Sequence, residues 1–528
     1  MLTQQGTVVP PTRLAGSLPS VRTLPPAPPA PPRPPARRRR PRLPAFVTAP
    51  WFVPLLVTAA LSVYRSTTIV LWWDELSTLD VARRPVAQIF ATAQNVDAVH
   101  SFYYLFMHCW IRLFGTSALA LRAPSILAMC GATVCTAVLA QRLFDRRVAF
   151  VAAAVFSIVP GVDRYACEAR SYALVVLGAA CGLLLLLRAL ERPSRGRWLA
   201  YGATLALTGA FNLIALAALA AHVVAVLAHR SIRDRETLKT FAVVVAGALI
   251  AVSPVVVFGM LEAGSQLGQL PKAGLSSLPI MWQETGCSTS FSVIVVLALP
   301  ILLTHRERRS AAVVFAFATL PIAVLWTVSV NSMGFSFFAR YLLFVLPAWA
   351  IAVAAAVDRF RQANTVTFAA VLLLTAVAVT HDQIVLHRPL SHFMYDYPGP
   401  DVRAEDYPAA AAVIEAHYEP GDAASFTTSV HLDLGVNYYL PGDEQLTDIF
   451  TQRTDVQMQT LLPSFCTDTA ACAATAPDRL WLVESGGSPS FTDERLDWAF
   501  TLQYLYRSVE VWHVPGITIT LLQRGTPL

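Results

Sequence analysis

The sequence predicts an α-helical polytopic membrane protein with about eleven spans and a C-terminal α/β domain on the extracytoplasmic side. Three observations carry that prediction: an apolar composition, a series of span-length apolar runs, and arginine clusters in alternate loops. Of 528 residues, 55% are hydrophobic and 14% are charged, and the mean hydropathy is +0.51. Soluble domains carry about a quarter charged residues, so this chain is built for a lipid solvent. The net charge of +6 is small and dispersed. No soluble domain presents a basic face, which argues against a nucleic-acid partner.

Residues 1–50 run through a Pro/Ala-rich stretch, Pro25 to Pro35, into Arg37–Arg40 and Arg42. Such a segment buries no core and is predicted to be a disordered tail. Its arginines precede the first apolar run and place it in the cytoplasm, with anionic-lipid binding as the rival reading. The basic stretch is too long, and the apolar run too span-like, for a cleaved signal peptide.

Apolar runs follow at about 51–71, 118–140, 148–161, 171–188, 198–210, 212–228, 240–258, 291–304, 310–328, 340–356 and 365–380. Asn212 interrupts the 198–228 block and predicts a tight hairpin rather than one long helix. Loop charge supports this. With the N-terminus inside, the cytoplasmic loops carry Arg142/Arg146/Arg147, Arg188/Arg192/Arg195/Arg197, Arg230/Arg233/Arg235/Lys239, Arg306/Arg308/Arg309 and Arg359/Arg361. All are basic, as the positive-inside rule requires. A single span at 198–228 would put the later clusters outside.

The opposite face then receives a long first loop, 72–117, shorter loops at 162–170, 259–290 and 329–339, and residues 381–528. In the first loop Tyr103, Phe106 and Trp110 recur at helical spacing, which predicts helices lying along the membrane surface. The C-terminal part reads as α/β, with a helix through Ala409–Ala416 and strands at Leu480–Val483 and Ile517–Leu522. Its length suffices for one core. Three regions follow: the tail 1–50, a membrane domain 51–380 and an extracytoplasmic domain 381–528. Cys109, Cys130, Cys135, Cys167, Cys181 and Cys287 read as small buried hydrophobes. Cys466 and Cys472 lie close together in the outer domain and suit a disulfide.

Four groups on the outer face bear chemistry. Trp72-Trp73-Asp74-Glu75 follows the first span, and a carboxylate there can act as a general base, with interfacial anchoring as the plain alternative. The stretch His100, Tyr103 and Tyr104 offers polar and aromatic groups for a substrate, although a lone histidine more often makes a structural hydrogen bond. Glu168, Arg170 and Tyr172 stand at the outer end of a span, where a Glu–Arg pair also serves to join helices. Arg340-Tyr341 opens the tenth run, and a guanidinium at that depth needs an acid or an anion such as a lipid phosphate. Two carboxylates, Asp74 and Glu75, would give a divalent cation an incomplete ligand set, so no cofactor is expected. No Gly-rich phosphate loop is present.

The order of these elements resembles the GT-C polyprenyl-phosphate-dependent glycosyltransferases, in the bacterial branch related to protein O-mannosyltransferases and the aminoarabinose transferase of lipid A. The resemblance rests on Asp74-Glu75, His100 to Tyr104, Arg122-Ala123-Pro124-Ser125, Glu168 to Tyr172 and Arg340-Tyr341, and covers about residues 50–380. Ser101 and Phe102 stand where that branch has two prolines. The resemblance implies direct, inverting transfer of a sugar, mannose first and arabinose next, from a polyprenyl-phosphate donor. The acceptor hydroxyl would belong to a glycolipid, a glycan or a protein. Asp74 would be the base and Glu75 would position the acceptor or a cation. Arg340, with Arg170 and Tyr341, would hold the phosphate, while His100, Tyr103, Tyr104, Glu168 and Tyr172 would line the substrate. A lipid-linked sugar flippase is the rival from another class. Transporters usually show repeated halves and mid-membrane charges, and this chain shows neither. A non-catalytic envelope scaffold is the third reading.

Overall fold

The structure is a computed structural model and describes residues 48–229, 234–266, 273–331, 337–363, 365–387, 405–427, 431–485 and 496–525. The tail expected over 1–50 lies outside these residues except for 48–50, as do Arg230 and Arg233 of one basic loop.

The helices run α1 (Phe52–Thr68), α2 (Trp73–Arg83), α3 (Val86–Asn95), α4 (Ser101–Phe114), α5 (Ala118–Leu143), α6 (Arg146–Ile158), α7 (Pro160–Ala166) and α8 (Tyr172–Glu191). They continue as α9 (Arg195–Phe211), α10 (Leu219–Ala228), α11 (Arg235–Gln266), α12 (Ser277–Gly286), α13 (Thr289–Leu303), α14 (Arg308–Asn331), α15 (Leu346–Ala363) and α16 (Thr365–Leu386). Each of the eleven expected runs falls on helix. Among the described residues six helices are long and apolar enough to cross a membrane, or up to nine if each bent pair is one span. The lower number has local causes. Helix α6 stops at Ile158, Val159 before Pro160 is extended, and the chain turns by 60° into α7. The run opening at Arg340 begins as a 3-10 segment, Ala339–Val345, continuous with α15, and is one of the six. The chain is a multi-pass membrane protein.

The break at Asn212 is a hairpin. Its side-chain oxygen accepts a hydrogen bond from the backbone N–H of Ile214. Across the turn the Tyr201 hydroxyl pairs with His222 Nδ1 at 3.0 Å. On a continuous helix those residues would be about 30 Å apart.

Alternation of the helices gathers the C-terminal ends of α1, α9, α14 and α16 with the N-terminal ends of α5, α8 and α15 at one end of the bundle. The described residues of the basic loops lie at the other, where Arg142 pairs with Glu191 at 3.0 Å. Helix α15 sits at the centre, with 94% of its apolar window (Ala339–Phe360) buried, whereas the α11 window is only 11% buried and faces outward.

After α1 the chain bends by 85° into α2. Helices α2, α3 and α4 then lie across the end of the bundle, as expected for the first loop. His108 Nδ1 on α4 bonds the Ala82 carbonyl of α2 at 2.9 Å. Pro124 lies inside α5 and cannot donate to the Ala120 carbonyl four residues back. The Trp110 indole N–H of α4 donates to that carbonyl instead, at 2.8 Å, and ties the surface helices to the bundle.

The C-terminal region holds α17 (Tyr407–His417), α18 (Leu432–Tyr439), α19 (Asp455–Met458) and strands β1 (Ala423–Thr427), β2 (Thr451–Arg453), β3 (Ser464–Phe465), β4 (Arg479–Ser485), β5 (Tyr506–Val514) and β6 (Ile517–Arg524). A four-stranded sheet has the order β1-β4-β6-β5, with β1 parallel to β4 and the other pairs antiparallel. Strands β2 and β3 make a separate pair. Trp481 of β4 is fully buried. Cys466 and Cys472 form a disulfide. Of the other cysteines only Cys167 and Cys287 are fully buried, and Cys109 is exposed.

The C-terminal region rests on the first loop. Arg84, buried at the end of α2, donates to Asp80 at 2.6 Å, to Asp455 at 2.5 Å, and to the Thr460 carbonyl at 2.9 Å. Leu461 packs against Val81, Ile89 and Tyr104. The Tyr438 hydroxyl donates to the Thr116 carbonyl at 2.9 Å.

Candidate active site

Asp74 occupies the first turn of α2, beside the mouth of the helix bundle. One carboxylate oxygen lies 3.3 Å from Arg170 Nη2 and the other 3.2 Å from Arg340 Nη1. Arg170 comes from the turn before α8 and Arg340 from the 3-10 segment before α15. The two guanidiniums therefore approach from different helix ends. Burial pushes the Asp74 carboxyl up, but the charges of Arg170 and Arg340 outweigh it and hold the group below its ordinary value. The group is ionised at neutral pH.

The Arg340 guanidinium sits among aromatic rings, 5.2 Å from the Phe338 centroid, 5.7 Å from Tyr341 and 6.0 Å from Tyr172. These faces stabilise a cation without neutralising it. Arg170 donates through Nη1 to the Tyr104 hydroxyl at 3.2 Å, and that hydroxyl donates to Asp97. The other oxygen of Asp97 meets His100 Nδ1 at 2.7 Å. One polar chain thus runs His100, Asp97, Tyr104, Arg170, Asp74, Arg340. Burial pushes the Asp97 carboxyl up, yet His100 and Arg170 bring it well below its ordinary value.

Glu75 departs from its expected place. Its carboxylate is buried and takes two bonds from Arg122, at 2.8 and 2.7 Å, and one from the Ala169 N–H at 3.0 Å. Arg122 also donates to the carbonyls of Ser66, Ile69 and Val70, the last turn of α1 and its exit. Ser125 donates to the Glu168 carbonyl at 2.6 Å. The Arg122-Ala123-Pro124-Ser125 element therefore pins the backbone that carries Asp74 and the backbone that carries Arg170. Glu75 ties α2 to α5 and to the turn before α8, and its carboxylate points away from that of Asp74. The physical reason is helical geometry: successive residues diverge by about 100°, so Asp74 and Glu75 point apart.

Two other residues also stand apart from the polar chain. Tyr103 is fully buried with its ring against Phe106 and Phe211, centroids 6.2 and 6.4 Å away. Glu168 is buried beside the Arg170 turn. Asp97, which no sequence motif singles out, joins His100 to Tyr104. It precedes His100 by three residues and Tyr104 by seven, and its left-handed backbone before the turn Ala98–His100 brings its carboxylate to both.

The donor set does not suit a cation. Asp74 faces two guanidiniums and Glu75 faces a third, so the pair does not converge. Among the described residues no group of three or more His, Cys, Asp or Glu side chains comes together as a metal site. What the arrangement offers is one ionised carboxylate beside two guanidiniums. That combination accepts a proton and binds an anion within a few ångströms.

Residues 101–258 match the family described as Dolichyl-phosphate-mannose-protein mannosyltransferase. No curated protein matches the chain at a significant level. Among solved structures, ArnT from Cupriavidus metallidurans in the apo state is similar, with a TM-score of 0.57, 15% identity, and coverage of 89% of this chain and 96% of ArnT. ArnT from the same organism bound to undecaprenyl phosphate gives a TM-score of 0.56 and 14% identity over 89% of this chain and 96% of that one. The arabinofuranosyltransferase AftD from Mycobacteria, mutant R1389S class 1, gives 0.51 and 15% identity over 90% of this chain and 41% of AftD. At these identities the likeness is one of fold.

Proposed function

We propose that this chain, which has the GT-C glycosyltransferase fold, moves a sugar from a polyprenyl-phosphate donor to an acceptor hydroxyl at the membrane face that carries Asp74. The observation that supports this most is the pairing of Asp74 with Arg170 and Arg340 at 3.3 and 3.2 Å. The family match at 101–258 and the likeness to ArnT, a structure of which holds undecaprenyl phosphate, point the same way.

Asp74 takes the proton of the acceptor hydroxyl as its oxygen attacks the anomeric carbon. The bond from that carbon to the phosphate oxygen breaks, its electron pair leaves on the phosphate, and the configuration inverts. Arg170 and Arg340 carry the growing negative charge. A phosphate drawn to these guanidiniums shares them with Asp74. Its carboxyl then rises toward its ordinary value and becomes a stronger base. A phosphate leaving group needs no proton, so one carboxylate suffices. His100, Asp97 and Tyr104 hold Arg170 in place. Tyr172 and Tyr341 do the same for Arg340.

Mannose is the favoured sugar, on the description of the matching family, with arabinose second; the acceptor is a glycolipid, a glycan or a protein. The N-terminus faces the cytoplasm and the C-terminal region the outside, a reading supported by basic clusters at the bundle end opposite Asp74. The flippase reading is disfavoured because the polar chain lies at the helix ends rather than at mid-span. The test is release of polyprenyl phosphate when the purified full chain meets polyprenyl-phosphate mannose or arabinose and an acceptor. Transport of the intact lipid without release would contradict it.

A further inference from the structure

We propose that Trp73 and His431 form the sugar-binding wall of the site, their ring nitrogens taking hydroxyl groups of the donor sugar. This deepens the function proposed above and rests on it. Trp73 opens α2, one residue before Asp74. His431 stands at the start of α18 and is supplied by the C-terminal region. The two rings face each other with centroids 6.1 Å apart and planes tilted by 54°. Trp73 Nε1 and His431 Nδ1 are both buried, and neither has a hydrogen-bond partner among the described residues.

Buried donors and acceptors are nearly always paired, and leaving one unpaired costs about 1–3 kcal/mol. Two such atoms on facing rings beside the reacting carboxylate are unexplained by packing alone. A sugar explains both. Its hydroxyls accept from the indole N–H, and they donate to or accept from the imidazole according to its tautomer. Its C–H faces lie well against aromatic rings. Burial pushes His431 down to about 4, with Asp74 and Asp455 opposing and Arg170 assisting. The ring is therefore neutral at neutral pH and adds no third cation beside the two guanidiniums. A neutral ring suits hydroxyl recognition.

The residues also define a division of labour. Arg170 and Arg340 read the phosphate, which every polyprenyl-phosphate donor shares. Trp73 and His431 read the sugar, which differs between donors, and His431 makes the C-terminal region part of specificity.

The test uses the purified full chain and two lipids, a polyprenyl-phosphate sugar that it turns over and polyprenyl phosphate itself. For Trp73→Phe and for His431→Ala, affinity for the sugar-bearing lipid should fall about tenfold, the loss of one hydrogen bond. Affinity for polyprenyl phosphate should not change. His431→Gln, which keeps a polar group, should recover part of the loss, and KM should move more than kcat. Equal losses for both lipids, or unchanged affinity for the sugar-bearing lipid, would overturn this inference and leave the proposed function standing. A wild-type chain that neither binds nor turns over any such lipid would sink the proposed function, and this inference with it.

Discussion

Asp74 and Glu75 are neighbours in sequence with different surroundings. Asp74 lies between two guanidiniums from distant turns, while Glu75 is buried against Arg122. Removing one partner of a buried ion pair costs about 3–5 kcal/mol, because the other charge is left uncompensated. Glu75→Gln should therefore lower the melting temperature and the yield of folded protein. Asp74 is more exposed than Glu75, at 24% against 1% of its side chain, so Asp74→Asn should cost less stability than Glu75→Gln while reducing transfer. Thermal unfolding of the two purified variants checks this contrast, and equal destabilisation would refute it. The pH dependence of activity follows from the direction of the Asp74 shift. In the free enzyme its carboxyl is held below the ordinary range, so kcat/KM should persist through mild acid and fall only as pH drops through that lowered value, while kcat, which reports the donor complex, should fall at a higher pH. The acid pair was legible in the sequence, but the separate roles were not. Arg122 is 47 residues from Glu75, and only the folded packing shows which acid it chooses.

At the scale of elements, short sequence signals correspond to joints between helices. Pro124 leaves a carbonyl open and Trp110 closes it; Asn212 turns the chain into a hairpin. Gly178 on α8 is a further joint. A Cβ there would lie 2.2 Å from Thr208 Oγ1 on α9, so close approach of these helices needs glycine. Gly178→Ala should force α8 and α9 apart and cost about 1–3 kcal/mol, seen as a lower melting temperature. The clasp of Arg84 with Asp80 and Asp455 makes a different prediction. Burial, together with Asp455, raises Asp80 to about 7 despite Arg84. A carboxyl raised in the folded state stabilises below its unfolded value, and that contribution is lost as pH rises through the folded one. Docking of residues 455–461 on α2 and α3 should thus loosen as pH rises from about 4 to about 7. Hydrogen exchange of that segment checks it, and Asp455→Asn, which removes one of the two causes, should weaken the dependence. No feature of the sequence joined Arg84 to Asp455, since 371 residues separate them.

At the scale of the whole molecule, composition and loop charge were enough to read a multi-pass helical protein with a sheet-containing C-terminal region. They could not show how the C-terminal region meets the membrane helices. That contact is made by isolated side chains such as Tyr438, His431 and Asp455, which follow no periodic pattern. The topology has its own check: a cysteine placed in the 142–147 loop should be reached by reagents only from the cytoplasmic side, and one on exposed β5 only from outside. The central claim is that Asp74, flanked by Arg170 and Arg340, is the base in sugar transfer from a polyprenyl phosphate. The most direct measurement compares wild-type and Asp74→Asn protein for release of polyprenyl phosphate from its sugar-bearing form, at equal folded concentration. The account predicts a loss of about 10²–10⁴-fold in rate with donor binding retained. Transfer at the wild-type rate by Asp74→Asn would contradict it.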